Sequence, residues 1–252
     1  MPRFIDFKGA AILFSAFAGA VFCIWAESSG NFLFVLVSHI AYFIETMFHE
    51  LGHCITGWLL GMPGVPMIFT VVGPQGAGGM TLVFGHYWMV QAAALAALAY
   101  LCYEFYRRAS GWFWAALLLL IIITGVMLSG YRLLVVSYMG HGGTIIASGY
   151  LLFKAWLNVD VSSQSKRWLC AFVGFYMAMQ NMYFSYNLIH DEATKELYAS
   201  SELVNDFIVM TDYVGGWTVE GIARFNMLLG GAVIIGSFLA SLHVFKSGRD
   251  YV

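Results

Sequence analysis

Seven apolar segments, each about as long as a lipid bilayer is thick, constrain this chain more than any other feature of its sequence. A helix that crosses a bilayer needs about 20 mostly apolar residues, because lipid offers its backbone no hydrogen-bond partners. The predicted spans cover residues 9–26, 31–60, 86–103, 112–129, 131–157, 168–188 and 222–245. We therefore expect an all-α polytopic membrane protein with about six to seven transmembrane helices.

The composition excludes several other classes of protein. Hydrophobic residues make up 60% of the chain and charged residues 10%, whereas a soluble domain carries about 25% charged residues. A soluble enzyme and a disordered chain are therefore excluded. The formal net charge is -2 and no basic block could track phosphates, so no nucleic-acid partner is expected. We expect a multi-pass protein of the cell (inner) membrane, surrounded by the lipid bilayer.

Two stretches depart from the pattern of apolar spans. Residues 61–85 contain two β-branched runs around a Gly/Pro centre, which predicts a short β-hairpin. Because almost no polar linker precedes it, we expect this hairpin to be embedded in the membrane and shielded from lipid by protein. Residues 190–220 hold seven acidic residues and one basic residue, which predicts an aqueous, partly helical loop. In that loop Asp191 and Glu192 would suit a helix N-terminus.

The chain is interpreted as a single membrane domain over residues 1–252, because no internal repeat or low-complexity tract divides it. Residues 1–30 would form an N-terminal anchor span. Residues 31–157 would form a core that includes the hairpin, and residues 158–252 would supply the C-terminal spans and the acidic loop.

The motif that carries chemistry lies in the second predicted span, where His49, Glu50 and His53 form an HExxH pattern. Four residues is just over one helical turn, so the two histidines project from one face and can hold one metal ion. Glu50 lies beside them, where it can move a proton of the attacking water. This is the division of roles in zinc hydrolases, and ionisable side chains inside a membrane helix are functional by default.

A zinc hydrolase also needs a third protein ligand and an open position for water. No aspartate lies within the predicted spans, so this ligand must be His, Glu or Cys, or must come from a loop. His141 is the best candidate, because the glycines around it would let another backbone come close. Asp191 and His190 are alternatives that could reach a site near the membrane surface.

Glu45 lies four residues before His49 and therefore on the same helix face, where it could orient a ligand or line a water path. Serine or cysteine catalysis has no comparable support, since the chain lacks a GxSxG motif. Its four cysteines are scattered in apolar stretches without a CxxC pair, so buried packing is their expected role.

Together these features resemble the site-2 protease family of intramembrane zinc metalloproteases. HELGH in an early span, a Gly/Pro-containing hairpin after it and a Gly-rich motif in a later span match in that order over residues 38–153. The resemblance implies one zinc ion on His49 and His53, Glu50 as catalytic base, and a substrate cleft bordered by Gly78 and Gly79. The family usually takes its third ligand from the aspartate of an LDG motif, whereas His141 stands at the corresponding place here.

The expected function is therefore the hydrolysis of peptide bonds in or near the transmembrane segments of membrane-protein substrates. The alternative is a non-catalytic, protease-like subunit that serves as a scaffold in a larger membrane complex. The altered third-ligand motif favours the scaffold, and the intact HELGH favours the enzyme. A transporter or channel ranks last, because the polar residues cluster around one helix instead of several.

Overall fold

The computed structural model describes residues 7–29, 32–70, 77–158, 163–200 and 205–246. Within these ranges the chain forms helices and one two-stranded sheet. In chain order the elements are α1 (Phe7–Ser28), α2 (Phe32–Leu59), β1 (Gly64–Thr70), β2 (Ala77–Val83), α3 (Trp88–Arg107), α4 (Trp112–Ser129), α5 (Arg132–Leu157), α6 (Gln164–His190), α7 (Glu192–Ser200), α8 (Asp206–Tyr213) and α9 (Val219–Lys246). The predicted all-α architecture with one hairpin is confirmed.

Four of the helices are long and apolar enough to cross a membrane by length and composition, which marks the chain as a membrane protein. These segments are Lys8–Glu27, Trp88–Arg107, Trp112–Ser129 and Val219–Phe245, within α1, α3, α4 and α9. The number is lower than the seven spans predicted from the sequence. The other three long helices, α2, α5 and α6, bury polar side chains inside the bundle, which lowers their apolar content while keeping those groups away from lipid.

The centre of the bundle is formed by α2, α5 and α6, with α1 packed on α2 and α6 and α9 packed on α5 and α6. Two glycines allow α2 and α5 to approach closely. A side chain at Gly52 would collide with the carbonyl oxygen of Met139, and one at Gly143 would collide with the Cα of Gly52. Small residues at a helix crossing are the usual way for membrane helices to pack backbone against backbone.

The hairpin follows α2 after a short turn in which Gly61 adopts a left-handed conformation with φ of 77°. The strands are antiparallel, with a register that runs from Gly64 opposite Val83 to Thr70 opposite Ala77. Both strands pack against α2. The predicted Gly/Pro centre lies between residues 72 and 80, and its part up to residue 76 lies outside the described residues.

The acidic loop is partly helical, as predicted, and it contains α7 and α8. The carboxylate of Asp191 caps α7 by accepting hydrogen bonds from the Ala193 backbone N–H at 3.2 Å and the Thr194 hydroxyl at 2.5 Å. Lys195 pairs with Glu192 at 3.0 Å and with Glu220 at 3.1 Å, and so ties α7 to the start of α9.

The next helix, α8, is docked on the bundle rather than free in solvent. It packs against α5 and α9, and Phe207 and Met210 are buried in a cluster with Leu188 and Ile222. Burial of these two apolar side chains fixes the position of the first turn of α8.

Candidate metal centre

The two histidines of the HExxH motif face each other across one turn of α2. Their Nε2 atoms lie 3.1 Å apart. The Nδ1 atom of His53 lies 2.7 Å from the carbonyl oxygen of Val136 on α5. Because a backbone carbonyl can only accept a hydrogen bond, this contact assigns the ring proton to Nδ1 and leaves the Nε2 lone pair free to bind a metal.

Asp206, the first residue of α8, completes a compact cluster with these histidines. Its Oδ2 atom lies 3.0 Å from Nε2 of His49 and 3.2 Å from Nε2 of His53. One ligand atom from each of the three residues lies within 4.8 Å of the others. Among the described residues, this is the one group of three or more His, Cys, Asp or Glu side chains that could hold a metal ion.

The electrostatics of the cluster favour an ionised carboxylate. Burial alone would raise the pKa of Asp206, but when the rings of His49 and His53 are protonated, their hydrogen bonds and charges outweigh burial and hold that pKa below its ordinary value. The side chain of Asp206 is 17% exposed, so the site lies close to the surface of the bundle.

The donor set fits zinc. Two imidazole nitrogens and one carboxylate oxygen are ligands that zinc prefers, and three protein ligands leave a fourth position open, as in catalytic zinc sites. Gly140 on α5 provides room in front of the donors, because a Cβ atom there would overlap the Nε2 atoms of both His49 and His53. Because residue 140 is a glycine, no side chain at that position crowds the two nitrogens.

His141, the predicted third ligand, lies beside this cluster, and Asp206 is the residue in direct contact with His49 and His53. Its Nε2 atom is 3.9 Å from Oδ2 of Asp206, and its ring centroid is 4.7 Å from that of His49. The described geometry therefore brings Asp206 to the third ligand position, while metal binding by His141 stays a prediction. The physical reason is that α8 folds back onto α5, which no local pattern indicates.

A buried amide network orients His141. The Nδ1 atom of His141 lies 3.1 Å from Oδ1 of Asn181 on α6, and the Asn181 amide donates to the carbonyl oxygen of His141 at 3.3 Å. Asn226 on α9 donates to the same Asn181 oxygen and to Ser185. These contacts place the Nδ1 proton of His141 on the Asn181 side, so its Nε2 lone pair is the free one.

Glu50 is buried between α2 and the hairpin. Its Oε2 atom accepts a hydrogen bond from the Thr81 hydroxyl at 2.7 Å. A side chain at Gly79 would collide with the Glu50 carboxylate, so β2 lies directly against it. Gly78, one position before Gly79 in β2, is paired with Phe69 in the strand register. Glu45 is buried and interacts electrostatically with His49 and Glu50.

The two alternatives for the third ligand have other partners. Asp191 is occupied as the cap of α7. The ring of His190 packs on Tyr186, with their centroids 4.5 Å apart. Neither belongs to the metal-capable group.

Sequence reasoning missed Asp206, Asn181 and Asn226. The requirement for a third ligand, together with the absence of aspartate from the predicted spans, pointed to the acidic loop as one possible source. Seven acidic residues lie in that loop, and nothing in the local sequence distinguishes Asp206 from the other six.

Comparison of the chain with protein-family models, with curated proteins and with solved structures finds no match. The functional argument therefore rests on the site itself.

Proposed function

We propose that this protein is an intramembrane zinc metalloprotease of the site-2 protease type, which hydrolyses peptide bonds in or near transmembrane segments of membrane-protein substrates. The observation that carries the proposal is the convergence of His49, His53 and Asp206 within 4.8 Å, with Glu50 next to His49 in the same motif. A non-catalytic scaffold would need neither three converging metal ligands nor a glutamate beside them that can transfer a proton.

His49, His53 and Asp206 would hold one zinc ion, with His141 oriented beside them. Bound zinc supplies Lewis acidity, which lowers the pKa of a water molecule and polarises a substrate carbonyl. The chain's own part is to hold the donors in place through the Val136 carbonyl and the docked helix α8.

Glu50 would act as the proton carrier. Its carboxylate would accept a proton from the attacking water and return it to the leaving amine. The hydrogen bond from Thr81 fixes one carboxylate oxygen at 2.7 Å and leaves the other oxygen, Oε1, to carry the proton. Burial of Glu50 would keep competing bulk water away from this transfer.

The hairpin would position the substrate. A helical substrate hides its carbonyls in its own hydrogen bonds, so it must unwind before cleavage. An unwound segment could add to an edge of the β1–β2 sheet, which would replace the lost backbone hydrogen bonds. Gly78 and Gly79 would then border the cleft, because β2 lies against Glu50.

The proposal places the protein in the cell (inner) membrane as a bundle of seven spans. Helices α2, α5 and α6 would cross the bilayer inside a layer formed by α1, α3, α4 and α9, the four more apolar helices. The hairpin would then lie within the membrane against α2. Aqueous α7 and α8 would bring Asp206 to the site from outside the spans.

The test is to compare wild type and Glu50→Gln after purification and reconstitution in phosphatidylcholine vesicles with a panel of single-span peptides. We expect the variant to retain stoichiometric zinc, measured by elemental analysis, and to lose cleavage, measured by mass spectrometry. Loss of zinc from Glu50→Gln would contradict the role of Glu50. Zinc binding by wild type without cleavage of any peptide would favour the scaffold.

A further inference from the structure

A second group of polar side chains, three of them buried and two partly buried, lies where α1, α2 and α6 meet. Its members are large side chains that can donate or accept hydrogen bonds: Glu27, Tyr42, Glu45, Tyr176 and Gln180. We call this group the polar pocket. Tyr176 is 1% exposed, Gln180 is 7% exposed and Glu45 is 8% exposed, so the pocket lies inside the bundle.

Contacts and electrostatics place these side chains together. Gln180 on α6 lies beside Glu27 at the end of α1 and interacts with its carboxylate. Tyr176, one turn earlier on α6, interacts electrostatically with Glu27, Glu45 and Tyr42. Its ring belongs to an apolar cluster with Cys23 of α1 and Ala41 of α2, so the three helices meet at this residue.

Two polar atoms of the pocket lack a partner. Within the described part of the chain, the hydroxyl of Tyr176 and Oε1 of Gln180 are buried and make no hydrogen bond. Leaving a buried polar atom without a hydrogen bond destabilises the folded state, so such atoms in a folded protein call for a partner that is not a protein side chain. Ordered water fills this role where several polar groups converge, because one molecule can make about two to four hydrogen bonds.

The polar pocket borders the candidate metal centre on two helices. Glu45 lies one turn before His49 on α2 and interacts electrostatically with both His49 and Glu50. On α6, Gln180 is followed directly by Asn181, whose side chain bonds to His141. The pocket and the candidate metal centre therefore share helices α2 and α6.

We propose that the polar pocket is a binding site for ordered water inside the bundle, and that it supplies water to the centre formed by His49, His53 and Asp206. The second half of this inference rests on the proposed hydrolase function, since hydrolysis consumes one water molecule for each peptide bond broken. The first half does not depend on it.

A water site fits these groups better than a second metal site. A hard cation such as calcium takes about six to eight oxygen ligands, whereas the pocket offers two carboxylates, two phenols and one amide oxygen. Among the described residues, the metal-capable group also includes neither Glu27 nor Glu45.

The first test measures access of a water-soluble thiol reagent to the pocket in the full-length protein. Gln180→Cys is compared with Met177→Cys, a control on the same helix whose native side chain is apolar and fully buried. Mass spectrometry separates each new cysteine from the native ones. We expect a positively charged methanethiosulfonate to modify position 180 at least about tenfold faster than position 177, because thiol reactivity follows access to water. Equal rates would overturn the water site.

The second test uses wild type, so it does not depend on how the variants fold. Hydroxyl-radical footprinting labels side chains that touch bound water, and Tyr176 is compared with its buried neighbour Phe175. We expect stronger labelling of Tyr176, and equal protection of both rings would overturn the water site.

The supply role is tested separately with Gln180→Leu and Tyr176→Phe. We expect at least tenfold slower cleavage with zinc content unchanged. If these variants are no longer labelled at the pocket but cleave substrate at the wild-type rate, the supply role is overturned. The water site itself is not contradicted by that result. Both labelling experiments measure water access to the pocket and do not depend on cleavage of a substrate. Their failure is therefore distinct from failure of the proposed protease function.

Discussion

At the scale of single residues, the site depends on a carboxylate that lies 157 positions after the histidine it contacts. Asp206 brings a negative charge to two neutral nitrogens, which suits a divalent cation better than nitrogens alone. The aspartate is held by its position at the start of α8, where the neighbouring Phe207 is fully buried.

Replacing Asp206 should therefore weaken metal binding strongly. We expect Asp206→Asn to lower zinc affinity by at least about 100-fold. Mutating a residue that only contacts a metal ligand lowers metal affinity by up to about 100-fold, and this variant loses the anionic donor itself. Asp212→Asn is a matched control, since Asp212 lies on the same helix and is exposed. Competition with a fluorescent zinc chelator measures both.

His141 provides a second test at the same scale. If Asp206 is the third ligand, His141→Ala should keep stoichiometric zinc, while Asp206→Ala should lose it. The reverse result, with zinc lost only from His141→Ala, would restore the sequence-based choice of His141. Elemental analysis of the two purified variants decides between them.

At the scale of secondary-structure elements, the contact between α2 and α5 determines whether the motif faces its partners. We expect Gly52→Ala to destabilise the protein by about 1–3 kcal/mol, the usual cost of adding a methyl group to a packed site. Gly125→Ala on α4 is the control, because a side chain there would meet nothing within 4 Å. Thermal unfolding in detergent should show a lower midpoint for Gly52→Ala only.

The contact between β2 and α2 is expected to affect catalysis more than stability. Gly79→Ala would push the Glu50 carboxylate away from Thr81, so we predict at least a tenfold loss of cleavage, comparable to loss of general acid–base catalysis, with zinc retained. Gly85→Ala is the control, since a side chain there would meet nothing within 4 Å. Equal activity in the two variants would contradict a role for the hairpin in holding Glu50.

Sequence patterns predict the elements better than the site. The span predicted at 112–129 coincides with α4, because an uninterrupted apolar segment has only one way to satisfy its backbone in lipid. The hairpin was also foreseeable from its Gly/Pro centre. Periodicity does not report contacts between distant segments, so the approach of α8 to α5 and the amide network behind His141 were not predictable from the sequence.

At the scale of the whole molecule, the metal centre links early and late parts of the chain. His49 and His53 belong to α2, whereas Asp206 belongs to α8, so a bound ion would join two helices that lie far apart in the sequence. Binding to the folded state stabilises it by mass action, by about 2.7 kcal/mol when free ligand is 100 times its dissociation constant.

Metal removal should therefore loosen α8 first. We expect a chelator to lower the unfolding temperature of wild type and to speed hydrogen exchange of α8 amides, while α4, which supplies none of the three donors, exchanges as before. Asp206→Asn should exchange quickly with or without chelator. Identical exchange of α8 in zinc-loaded and chelated wild type would contradict a bridging ion.

The distance along the chain between the motif and Asp206 also has a consequence for biosynthesis. A ribosome completes α2 long before it reaches residue 206, so a nascent chain carries both histidines and Glu50 without the carboxylate that completes the set. For a hydrolase of the proposed kind, this order of synthesis keeps an unfinished enzyme inert while it is being inserted among other membrane proteins.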